Sequence, residues 1–154
     1  MTEKLRLRAV DADDLSVIAA CLQDALIPLS EMAYVADERR FMAAFTRFQR
    51  ERLPDPNQCE GLTQRQSALV LHDVEAAKFR GLDSRFGAVR LELLTIVSEP
   101  APDGLTYVTL LFAGDAAIQL HVRKLGATLE DFGEPWPAAT APAHDWQPAR
   151  SESA

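Results

Sequence analysis

Three histidines, two cysteines and an excess of arginine are the side chains here with most chemistry to offer. His72 stands beside Asp73 and near Glu75. His121 lies between Leu120 and Val122, on the polar side of an alternating run with Gln119 and Arg123, and His144 falls near the C-terminus. A metal centre needs such ligands to converge with fixed geometry. No HxxxH, HxH or CxxC spacing exists, so the histidines read as solvated or hydrogen-bonded strand residues, and no metal or other cofactor is expected. Cys21 sits among apolar helix positions as a small buried thiol. Cys59 adjoins Glu60, and a neighbouring carboxylate raises a thiol pKa rather than activating it. The glycines occur singly, without a GxGxxG or GxxxxGK[ST] phosphate cradle. These residues lean away from an enzyme.

Arginine is the uneven residue type, outnumbering lysine thirteen to three. Arg39, Arg40, Arg47, Arg50 and Arg52 share one stretch with a single acid, Glu51, while Arg80 and Arg85 flank Gly81. Guanidinium forks bind carboxylates and phosphates bidentately. The candidate ligand- or partner-binding set is therefore Arg39, Arg40, Arg80, Arg85 and His121. The plainer reading of the same residues is a solvated hairpin tip. Acids form the counter-surface: Asp11, Asp13, Asp14, Asp24, Glu31, Asp37 and Glu38 have no base among them. Helix capping and turns account for most of these.

The elements that must hold these residues begin with Leu5 to Arg8, which alternates like a half-buried strand. Leu15, Ile18, Ala19 and Leu22 then mark a helix over about residues 12–23. From Ala25 the period falls to two, with Pro28 pointing to a sheet edge or bulge. Two apolar runs, 32–36 and 40–48, flank Asp37-Glu38-Arg39 as a hairpin, and residues 50–66 read as a long polar loop. The runs 66–80 and 88–98 each shift phase as if bulged. Val108 to Phe112 and Ile118 to Val122 alternate around Ala113-Gly114-Asp115, the best hairpin signal in the chain. Leu125, Leu129 and Phe132 fit a last helical face, with Gly133 as its stop. The Trp136 that follows either packs back or is offered to a partner.

The expected fold is α+β: about seven antiparallel strands, arranged as a pleckstrin-homology-like barrel, with an N-terminal and a C-terminal helix. The alternative is an open antiparallel sheet with both helices on one face. Residues 1–136 form one β-rich domain and 137–154, rich in Ala, Pro and Ser and containing Trp146, a disordered tail.

The order Leu22-Gln23-Asp24-Ala25, Glu38-Arg39-Arg40-Phe41, Phe112-Ala113-Gly114-Asp115-Ala116-Ala117-Ile118 and Glu130-Asp131-Phe132-Gly133-Glu134-Pro135-Trp136 resembles a family of short, uncharacterised, mainly alphaproteobacterial proteins classed as a domain of unknown function. The resemblance runs from about Leu5 to Trp136. It implies no catalytic residue.

The chain's 154 residues suffice for one core. A net charge of −7 disfavours nucleic acid as a partner, no stretch is long and apolar enough for a membrane span, and two cysteines suit a reducing cytoplasm. Residues 9–38 carry seven acids and no base, so the remaining sixteen acids and sixteen bases balance. The expected function is a cytoplasmic, non-catalytic module that binds a protein partner or itself. The alternative is a protein, or small enzyme, that binds an anionic metabolite or phosphate through an Arg/His pocket.

Overall fold

The computed structural model describes residues 4–52, 61–82 and 90–138. Cys59, Arg85, His144, Trp146 and the tail from residue 139 lie outside them. The element order is β1 (Arg6–Ala9), α1 (Ala12–Cys21), β2 (Leu26–Pro28), β3 (Met32–Val35), β4 (Arg40–Phe48), β5 (Thr63–Leu71), β6 (Val74–Arg80), β7 (Arg90–Pro100), β8 (Thr106–Phe112), β9 (Ala116–Val122) and β10 (Ala127–Pro137). Asp11 caps α1 as its spacing predicts, its side chain accepting from the Asp14 N–H at 2.8 Å. The helix turns Leu15, Ile18 and Ala19 into the core.

All the strands belong to one antiparallel sheet, ordered β1-β10-β5-β4-β2-β7-β8-β9-β6, with β3 alongside β4. β2 is the hinge: it meets β4 only at Leu26↔Thr46, then runs beside β7 from Leu26↔Glu92 to Pro28↔Arg90. The chain folds back a second time at His72-Asp73, where β5 ends in one half and β6 begins in the other. There the His72 N–H donates to the Gly126 carbonyl and the Val74 N–H to that of Arg39. The two halves close on Phe41, Phe45, Leu69 and Leu71 from one side and Leu93, Val108, Leu110, Ile118 and Leu120 from the other. All nine are at most 1% exposed.

An antiparallel, α+β chain is what the sequence predicts, but three expectations need correcting. The C-terminal helix is a strand. Leu125, Leu129 and Phe132 satisfy a helical spacing, yet Ala127, Leu129 and Asp131 alternate inward and pair with β5 from Ala127↔Leu71 onward. Gly133, at φ +69°, serves a register shift between Phe132 and Trp136 rather than a helix stop. Residues 66–80 are not one bulged strand but two strands joined by a corner, with Asp73 at φ +55°. The sheet has ten strands among the described residues and ends in β1 and β6, so it is open rather than a closed seven-stranded barrel. α1 is the single α-helix among the described residues.

Candidate functional site

In the half made by β7, β8, β9 and β6, alternation sends Val108, Leu110, Phe112, Ile118, Leu120 and Val122 into the core. The intervening residues lie on the opposite face, Ala117 among them buried at 5% exposed, and the register arranges them in rows. Glu99, Tyr107, His121 and Ala76 form one row, Val97, Thr109, Gln119 and Lys78 the next, and Thr95, Leu111, Ala117 and Arg80 the third. Strand spacing and rise make this a patch of about 14 Å by 14 Å. The bulge between Leu93 and Thr95 adds Leu94 to it. Leu94 and Val97 are 47% and 45% exposed, large apolar side chains in solvent. One corner is acidic, at Glu99, and the edge along β6 is basic, at Lys78 and Arg80.

His121 lies in the first row. Its Nε2 is 3.0 Å from Gln119 Oε1, and its ring lies 4.7 Å from that of Tyr107, tilted by 42°. Beyond that row Arg123 grips Glu75, Nε and Nη2 donating at 2.9 and 3.2 Å. The Arg123 hydrogen bond holds the Glu75 carboxyl below the usual carboxylate range. Arg80 closes the third row, its Nε 3.4 Å from the Asp115 carbonyl.

Among the described residues, Arg39 and Arg80 do not meet in one pocket. Arg39, left-handed at φ +51°, gives its carbonyl to the Val74 N–H at the start of β6, whereas Arg80 stands at the far end. Six residues of strand separate Val74 from Arg80, about 20 Å. Arg40 pairs with Glu38. Nor is the 39–52 stretch one basic patch. Arg50 bonds Asp24 at 2.9 Å and lies over the Phe48 ring, and Arg47 points inward.

That inward arginine belongs to a cluster the sequence reading missed. Arg47 continues the core face of β4 after Phe41, Ala43 and Phe45 and is fully buried. Its Nε and Nη2 donate to both oxygens of buried Asp131 at 2.8 Å, and its Nη1 and Nη2 to both oxygens of Glu51 at 3.1 and 2.9 Å. The Leu5 N–H also donates to Asp131 at 2.9 Å. Burial alone would raise the Asp131 pKa, but Arg47, the Leu5 N–H and the Ser67 hydroxyl outweigh it and hold it low. Burial would likewise loosen the Arg47 proton, and the two carboxylates bind it more firmly. Burial pushes the nearby Cys21 thiol up, against the pull of Arg47, which makes it a poor nucleophile. The available signal was the period of two, which carries charge onto an otherwise apolar face.

An open cleft of about 550 Å³ beside β1 is lined by Arg6, Arg8, His72, Asp73, Lys124 and Glu130 among others. Its walls carry both signs, and Arg6 already pairs with Glu130 at 3.3 Å. Among the described residues no group of three His, Cys, Asp or Glu is placed to hold a metal, and no helix is long and apolar enough to cross a membrane. No curated protein and no solved structure matches the chain. The family model described as "Protein of unknown function (DUF2948)" matches residues 5–144, and the chain belongs to that family.

Proposed function

We propose that this protein is a non-catalytic, cytoplasmic interaction module whose partner is a second copy of itself, docked through the outward face of β6–β9. The observation that carries this reading is a pair of exposed apolar side chains, Leu94 and Val97, along the β7 side of a face with opposite charges at diagonal corners. Exposed apolar patches rimmed by polar residues mark interaction sites. A two-fold interface must also be complementary to itself.

The rows make the docking concrete. A two-fold axis along the Ala76–Thr95 diagonal sets Glu99 against the partner's Arg80, and does so twice. It also lays Val97 against the partner's half-buried Leu111, with strands crossing at about 90°, one of the two ways sheets pack. A face of a dozen positions is smaller than the roughly 20–30 residues a side of a standard interface. Association is therefore concentration-dependent rather than permanent. A free Cys21 thiol suits a reducing compartment.

Val97→Glu tests the reading, since Val97 is 45% exposed and its replacement leaves the core intact. Sedimentation velocity should show the wild-type protein growing toward a dimer as concentration rises and the variant staying monomeric, with equal melting temperatures. Identical association in both proteins would overturn the proposed face.

A further inference from the structure

Arg65 is the most anomalous charge among the described residues. It is 1% exposed, and its Nε and Nη1 are buried without a hydrogen-bond partner. Its one bond runs from Nη2 to the Gly133 carbonyl at 2.7 Å. A guanidinium stays charged when buried, so N–H groups left there without an acceptor are costly. Arg65 also lies directly across from Arg47 in the β4–β5 ladder, and like charges so placed repel. Asp131 and Glu51 balance the two guanidiniums in charge, but the side-chain hydrogen bonds they accept come from Arg47, and none comes from Arg65. The Ser67 hydroxyl, two residues along the same face, stands across the ladder from Asp131 and helps hold that carboxyl low, though without a hydrogen bond of good geometry. The cluster has an outer end: the Glu51 side chain is 46% exposed while Arg47 and Asp131 are fully covered.

We propose that Arg65 is the receptor of a small-oxyanion site, taking a phosphate or carboxylate group beside Arg47, with Glu51 at its outer end. Nη2 retains a second N–H, so the anion has a guanidinium edge to use, either Nη1 with Nη2 or Nε with Nη2. Glu51 then acts as a competing negative charge at the site. The site is independent of the β6–β9 face, so either proposal can fail alone.

The test is a thermal-shift and calorimetric titration of the full chain with inorganic phosphate and, separately, with acetate and succinate, each against sodium chloride of equal ionic strength. A ligand that binds the native state raises its melting temperature. The wild-type protein should respond to at least one anion beyond the chloride control, and the stronger arm identifies the group. Arg65→Met should lose that response, a fall in affinity of roughly tenfold or more, the scale of a charge-assisted hydrogen bond. Glu51→Gln, altered at the exposed end, should fold normally and bind the same anion more tightly. It keeps the test open if Arg65→Met fails to fold. No specific response in the wild-type protein, a response that survives Arg65→Met, or no tightening in Glu51→Gln would overturn the proposal.

Discussion

At the scale of single residues, the Arg47–Asp131 pair dominates the polar interior. Removing one member of a buried pair costs about 3–5 kcal/mol because the other charge is stranded, whereas replacing both with apolar groups is often neutral. Asp131→Asn should therefore destabilise the fold by about that amount in urea titration, and Arg47→Met with Asp131→Leu by much less. The same carboxylate sets an acid dependence. Its folded pKa is depressed, so its contribution is full above the unfolded value of about 3.9 and lost as pH falls through the lower folded value. The stability gap between wild type and Asp131→Asn should hold at neutral pH and close in that acid window; a gap independent of pH would contradict the assignment. Little of this was legible beforehand. The arginines of residues 39–52 read as one surface because they are close in sequence, but a strand turns alternate residues to opposite faces. Only the parity of Arg47 with Phe41 and Phe45 separates it from Arg50.

Between elements, the corner of the basic edge depends on how β6 ends. Gly81, at φ +71°, follows Arg80 against the β8–β9 turn, where an added Cβ would lie 3.0 Å from the Asp115 carbonyl oxygen and 3.2 Å from the Ala116 Cα. Backbone atoms yield little, so Gly81→Ala should cost about 1–3 kcal/mol. Gly114→Ala, at φ +82° with nothing within 4 Å of the added carbon, should cost about 1 kcal/mol. Comparing the two denaturation midpoints separates contact from dihedral strain. The elements that were legible are those with local signals: α1 with its Asp11 cap, and the β8–β9 hairpin around Gly114. β10 was not, because residues four and seven apart also share a strand's parity or lie near it over so short a run. What decides its form is non-local, the ladder to β5 on one side and β1 on the other.

Across the whole molecule, the charge that net acidity conceals is segregated by position. The acids of residues 9–38 sit at α1 and in the turns around β2 and β3, while the β6–β9 face carries Glu99 at one corner and Arg80 at the other. Self-association by that face is the central claim, and a charge-reversal cycle tests it most directly. Sedimentation equilibrium of the wild type, Glu99→Arg, Arg80→Glu and the double variant should give weakened association in each single variant. The double variant should recover it, since the swap restores both corner pairs. A monomeric wild type over roughly a hundredfold range of concentration, about 2.7 kcal/mol of association free energy, or single variants that associate as the wild type does, would contradict the account.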